Sequence, residues 1–330
     1  MRLNATSEQT AAILGSMAAV ASIRGPSAVT PADRASVLAA ARYLLGAPHP
    51  ADPFAADRVL PQKLAAALAG SETLARDAAH LLTVMAFVDG TLDRARIDAV
   101  LEYAAALGID EPYVDDVARA AHGELRRALA DMTRRNLESV TNRPWPADDA
   151  DQPHAMAWFL PYRDQPDRAL HARYQSLGDL PEGTFGLAYF RHYRANGYAL
   201  PGAPAALNEA FATPHDSVHV LAGYDTSPRG EILTSTFTAA MHPSHPMAGH
   251  VLPVLLSWHL GIEINAVARS ASGALDPVRF WEAWARGAAI GTDLFAPGRD
   301  FWLYVAEPLD ALREQLAIPP LDARAPGSAW

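Results

Sequence analysis

The residues best suited to chemistry lie in one stretch, 213–231, which reads TPHDSVHVLAGYDTSPRGE. It holds His215, Asp216 and His219, and eleven residues separate His219 from Glu231. Side chains four apart lie one above the other on a helix, so His215 and His219 can aim both imidazoles at one point. Two neutral imidazoles with one or two carboxylates suit a divalent metal ion. The same residues admit a plainer reading. Thr213 suits an N-cap, Pro214 the first helical position and Asp216 the third, an acidic form of the capping box. Asp216 would then cap a helix, and the two histidines would be buried and hydrogen-bonded. A helix starting at Thr213 would also favour an anion there, because its first turn carries free N–H groups and partial positive charge.

These residues need elements to hold them. Gly223 predicts the end of the helix, and Asp225, Ser227, Pro228 and Gly230 predict a loop that brings Glu231 back to the imidazoles. Upstream, LGDLPEGTFGLAYFRHYRANGY (177–198) reads as a turn feeding a helix with Leu187, Phe190 and Tyr193 on one side. His192 in that helix reads as an ordinary satisfied histidine. Downstream, EILTSTFTAAM predicts a helix, and MHPSHPMAGH a proline-rich loop. Its His242, His245 and His250 could offer a fourth ligand. VLPVLLSWHLGIEINAVA predicts a long apolar helix, either buried or walling an apolar tunnel. DPVRFWEAWARGAAIG predicts an amphipathic helix with Phe280, Trp281 and Trp284 along one edge, and a last helix starts near Pro308.

The N-terminal half is helical with no visible chemistry. Thr30-Pro31-Ala32-Asp33 is a helix start. Leu74, Ala78, Leu81, Leu82, Met85 and Val88 form one apolar stripe, broken at Asp89-Gly90. Ile97, Val100, Leu101, Ala104 and Leu107 form a second, stopped at Gly108. Asp110 predicts the start of a third helix carrying Val114, Val117, Ala121, Leu125 and Leu129. TNRPWPADDADQP (141–153) reads as a linker. The expected architecture is all-α with two helical domains, 1–140 and 154–330.

Composition sets the outer limits. The chain has 330 residues, half of them hydrophobic, with a net charge of −10, which argues against nucleic-acid binding. Lys63 is the only lysine, a bias read as GC-rich coding. With no cysteine there are no disulfides and no thiolate metal sites. No export signal and no membrane-spanning run are visible, so a cytoplasmic protein is expected. Glycine-rich phosphate loops, G-x-S-x-G and dinucleotide fingerprints are absent.

Three separated motifs carry a family resemblance. LPEGTFGLAYFRHYRANG, HDSVH with Glu231 twelve positions on, and the terminal EPLDALREQLAI together resemble the ubiquinone (coenzyme Q) biosynthesis Coq-four family over roughly residues 155–320. Ala317 stands where that family tends to have Gly. The resemblance implies a helical domain binding a divalent ion, zinc or iron with manganese or cobalt as alternatives, through His215, Asp216, His219 and Glu231. It implies an apolar groove for an isoprenoid chain, and contact with the membrane surface or with other pathway enzymes. It implies oxidative decarboxylation and hydroxylation of a prenylated aromatic carboxylate. LLTVMAFVDGTLDRARIDAVLEYAAALGID similarly resembles a tellurite-resistance TerB-type module.

The same residues admit three competing readings. An HExxH-type metallopeptidase would need a catalytic Glu where Asp216 stands. A non-catalytic isoprenoid-binding scaffold would use the ion only to hold helices together. An enzyme of specialised aromatic metabolism would keep the chemistry and change the substrate. Aromatic stretches such as RFWEAW, if exposed, would suit a homodimer.

Overall fold

The computed structural model describes residues 3–55, 58–146, 153–264 and 270–322. Among them are fifteen α-helices and no strand, so the protein is all-α. It divides into two compact units that are discontinuous in sequence. The first comprises Met1–Met132, Leu252–Ala285 and Leu321–Trp330, and the second Thr133–Val251 and Arg286–Pro320. These bounds differ from the sequence-based division, because the segment after residue 251 packs with the N-terminal helices.

In the first unit, α1 (Ser7–Ala21) is the central helix. It contacts α2 (Pro31–Tyr43), α3 (Pro61–Ala67), α4 (Glu72–Met85) and α5 (Arg94–Ala106). Its Ile13, Leu14, Met17 and Val20 are fully buried. Thr30 and Asp33 form the expected capping box at the start of α2. Asp33 then does a second job. Its carboxylate accepts two hydrogen bonds, at 2.7 and 2.9 Å, from the buried guanidinium of Arg96 on α5. Arg96 also donates to the carbonyls of Ala21 and Met85, so one buried cation ties α1, α2, α4 and α5 together.

Helices α4 and α5 make the expected hairpin, with Gly90 in the left-handed region at the turn. The turn acids are engaged by the protein: Asp89 accepts from Thr91, and Asp93 caps α5 and pairs with Arg24. The third expected helix is two. α6 (Pro112–Ala121), preceded by Glu111 as N-cap, stops at His122, and α7 (Leu125–Thr141) restarts beyond Gly123, whose φ of 91° breaks the run. The apolar stretch from Val251 is not one long helix. It divides into a short α13 (Leu252–Val254) and a π-helical turn at Leu255–His259; residues 265–269 lie outside the described residues. Phe280 and Trp281 on α14 (Pro277–Ala289) are fully buried, and Trp281 donates to Ser36. Two of the three residues of the aromatic edge are thus core, while Trp284 is half-buried.

The second unit contains α8 (Pro153–Phe159), α9 (Arg168–Gln175), α10 (Phe185–Asn196), α11 (Glu209–Ala222), α12 (Pro228–Met241) and α15 (Leu309–Gln315). Helix α11 packs against both α10 and α12. Tyr174, Leu177, Tyr189, Tyr193 and Leu200 form a buried cluster, flanked by Phe301 and Trp302. No described helix is long and apolar enough to cross a membrane.

Candidate metal centre

Helix α11 does not begin where its sequence suggests. Asn208 is the N-cap, its side chain accepting from the N–H of Ala210, and Pro214 lies inside the helix. As the sixth helical residue, Pro214 lies past the first turn and cannot supply the N–H that would reach the Ala210 carbonyl. Asn208 is also fixed from outside by donating to the carbonyl of Trp158. Asp216 therefore caps nothing, and the first-turn charge expected to favour an anion beside it belongs to residues 209–212.

The predicted end at Gly223 stands, but the loop is shorter than expected, because Pro228 and Gly230 already belong to α12. Gly223 ends α11 with φ at 76°, and its N–H and that of Tyr224 both return to the carbonyl of His219. The chain reverses over Asp225, which accepts from Ser227, and Ser227 caps α12 by accepting from Gly230. Pro228 occupies the first position. Gly230 is required here, because a Cβ would lie 1.9 Å from the carbonyl oxygen of Asp225. This close reversal sets Glu231 in the first turn of α12, facing α11.

Three donor groups converge. His215 Nε2 and His219 Nε2 are 3.3 Å apart. Glu231 Oε2 lies 3.3 Å from His215 Nε2, and Oε1 lies 3.6 Å from His219 Nε2. Ligands about 2.0–2.2 Å from a tetrahedral ion stand roughly 3.3–3.6 Å from each other, so these separations, one to each Glu231 oxygen, are of the size an ion's ligands adopt. The imidazole of His219 is oriented from behind. Its Nδ1 lies 3.1 Å from the Tyr224 carbonyl and 3.1 Å from Thr234 Oγ1. A carbonyl only accepts, so Nδ1 carries the proton and the Nε2 lone pair faces the centre, the arrangement that metal-binding histidines use. His215 stacks on Phe211 and His219 on His192, with ring centroids 5.2 and 5.3 Å apart.

The electrostatics of the cluster come from burial and this contact. Burial pulls the His215 imidazolium down, but the Glu231 carboxylate beside it outweighs that, and the net shift is upward. Burial pushes Glu231 up, and the two imidazoles beside it overcome that, leaving the carboxyl well below the usual range.

Asp216 has one oxygen engaged by the protein. Its Oδ2 accepts from Tyr193 at 2.5 Å, and Tyr193 accepts from Tyr189 at 3.0 Å. Burial, reinforced by the nearby Asp216 charge, raises both phenols well above their ordinary value, so both remain protonated donors. A carboxylate oxygen of Asp216 still lies within 4.8 Å of donor nitrogens on His215 and His219. His192 belongs to the cluster, contrary to the sequence reading. Its buried Nε2 makes no hydrogen bond and lies 3.7 Å from Asp216 Oδ1. The signal available in advance was its seat in the Phe-Arg-His-Tyr run beside Tyr193. His242, His245 and His250 supply no fourth ligand: their partners are Asp293 at 2.7 Å, Glu138 at 3.4 Å and Ser139 at 2.7 Å. The expected loop there is a π-helical turn, Pro246–Val251.

A cavity of about 470 Å³ lies along another face of α11, the row Ala210, Thr213, Pro214, Ser217 and Leu221. Tyr174, Phe301 and Trp302 are among its aromatic walls. None of the four candidate ligands lines it.

No protein-family model matches the chain, and no curated protein matches it. A crystal structure of a "Putative ubiquinone biosynthesis protein" from Nostoc punctiforme is similar over 62% of this chain and 94% of that one, at 20% identity and a TM-score of 0.34. A score of that size does not define a common fold.

Proposed function

We propose that the second unit is a metal-dependent enzyme acting on an aromatic carboxylate in quinone or related aromatic biosynthesis. The observation that carries the metal reading is the triangle of His215 Nε2, His219 Nε2 and the Glu231 carboxylate, with edges of 3.3, 3.3 and 3.6 Å. The resemblance of HDSVH and Glu231 to the Coq-four motif supports the substrate class. When bound, a divalent ion at this triangle would supply Lewis acidity and, if iron, oxidative chemistry.

The chain's own residues support that role in three ways. Tyr224 and Thr234 fix the proton of His219 on the outer nitrogen. Glu231 supplies a negative charge that offsets the ion's. Side-chain exposures of 18% at His215 and Glu231, against 1% at His219, leave one side of the triangle reachable. In the peptidase reading Asp216 would have to serve as the base, and its Oδ2 already accepts from Tyr193. The scaffold reading is favoured by one observation: the cavity of this unit does not reach the triangle.

Elemental analysis of the purified protein tests the metal. One zinc or iron per chain, lost in His219→Ala, is expected; unchanged metal in that variant removes the site. Chelation separates catalysis from scaffolding. Turnover of a hydroxybenzoate lost without loss of fold supports an enzyme, and melting alone supports a structural ion.

A further inference from the structure

The cavity beside α11 shares no residue with the triangle, and its chemistry can be read from what its wall leaves unused. Pro214 deprives the Ala210 carbonyl of its intrahelical donor, and both residues line the cavity. The neighbouring polar groups are engaged. Ser217 donates to the Thr213 carbonyl at 2.6 Å, and the Thr213 and Tyr174 hydroxyls bond each other at 2.6 Å. Thr141 and Asn142 donate to the carbonyls of Leu137 and Phe295. Glu209, also on the lining, is half-buried, and among the described residues its carboxylate has no salt-bridge partner. The cation that acts on it, Arg173, is stacked over the Trp302 ring at 3.9 Å. Burial, then the Asp167 charge, raises this carboxyl above its ordinary value.

The donors at the same end of the helix are used up. The N–H groups of Glu209, Ala210, Phe211 and Ala212 go to the Tyr162 hydroxyl, the Asn208 side chain and, twice, the Asn208 carbonyl. An anion would find no free donor there, whereas a cation bearing N–H groups would find two acceptors. The aromatic walls favour the same sign, since ring faces attract cations. Two of them already hold guanidinium groups: Trp302 that of Arg173, and Tyr304 that of Arg299 at 4.9 Å. The lining carries two carboxylates, Glu209 and Asp300, against the one guanidinium of Arg299.

We propose that this cavity is a binding site for a protonated organic amine with an aromatic body, its ammonium held by Glu209 and by the carbonyl that Pro214 frees. The occupant is opposite in charge to the aromatic carboxylate proposed above, and the site does not depend on an ion at the triangle. A volume of about 470 Å³ suits a small organic molecule.

Three probes with one body and different head groups test this: phenylbutylamine, phenylbutanol and phenylbutyrate, each titrated calorimetrically into the full-length chain. The amine should bind one per chain, about tenfold tighter than the alcohol, with the carboxylate weakest. Glu209→Gln keeps the shape and should bring the amine down to the level of the alcohol, leaving the alcohol unchanged. Pro214→Ala returns an N–H to the Ala210 carbonyl and should weaken the amine about threefold, with circular dichroism verifying the helix content. Ala210→Trp, at an exposed position, should block all three probes. His219→Ala should leave amine binding unchanged, so failure of the metal reading and failure of this one are separable. Equal binding of amine and alcohol, tighter binding of the carboxylate, or unchanged amine binding in Glu209→Gln or Ala210→Trp overturns the proposal. So does the absence of saturable amine binding at millimolar concentration, or binding of the isoprenoid alcohol farnesol in its place.

Discussion

Thr234→Val is the sharpest probe of the cluster because it touches no ligand atom. Thr234 is fully buried on α12, and its hydroxyl lies 3.1 Å from His219 Nδ1. Valine has nearly the same shape, so packing should survive. The Tyr224 carbonyl, also at 3.1 Å, remains to hold the Nδ1 proton. The loss should therefore sit at the low end for outer-shell changes, about tenfold in metal affinity, or about 1.4 kcal/mol. The metal-free protein should melt within about 1 kcal/mol of wild type, since one hydroxyl is removed and one methyl gained. The assay is a zinc titration against a competing chelator at fixed pH, paired with denaturant unfolding of the metal-free protein. Thr234→Ser keeps the hydroxyl and should bind nearly as wild type. Unchanged affinity in Thr234→Val, with an intact fold, would refute the orienting role assigned to this contact.

Three other perturbations have defined outcomes. Gly230→Ala should destabilise the protein by about 1–3 kcal/mol and weaken metal binding together, because a Cβ 1.9 Å from the Asp225 carbonyl must push the start of α12 away; a variant matching wild type in both titrations would contradict this. Asp33→Ala should cost about 3 kcal/mol, the low end for a broken buried pair because Asp89 at 3.4 Å still faces Arg96, and roughly 1 more for the lost cap; a loss under about 1 kcal/mol in urea unfolding would show that the pair is not structural. His250 is buried, and burial first, then the nearby His242, lowers it to about 3. The unfolded chain, with an ordinary histidine near 6.5, takes up the proton first. Stability should thus be full above about pH 6.5 and decline as pH falls towards 3, this residue adding up to about 1.4 kcal/mol per pH unit. His250→Gln should flatten that slope in urea titrations between pH 6 and 4, and an unaltered slope would exclude His250 as its source.

Much of the helical frame was legible because its signals are local. Thr30-Pro31 and Gly223 mark helix ends through their own backbone chemistry, and the structure uses both; Ser227-Pro228, read as loop formers, in fact start α12. The imidazole pair was legible from spacing, and the return of Glu231 from the turn formers between. What failed depended on distant partners. Pro214 reads as a first-turn residue, yet Asn208, anchored to Trp158, starts the helix earlier. Asp216 reads as a helix cap, and only the fold brings Tyr193 to it from 23 residues away. His192 looked ordinary because nothing in its neighbourhood announces that His219 will stack on it. The run after Val251 has helical composition throughout, and its division reflects tertiary contacts, such as His259 with the Val88 carbonyl, that periodicity does not encode.

The reversal between α11 and α12 has only five residues, from Gly223 to Ser227, and both of its ends are pinned. Each residue added to a helix rotates the downstream chain by about 100° and advances it about 1.5 Å. A single inserted or deleted residue between Ala222 and Glu231 would therefore either unseat the Ser227 cap or swing the carboxylate off the imidazoles. Point substitutions on the outer side of this hairpin leave that registry intact. Indel scanning should accordingly show a sharp intolerance confined to these few positions.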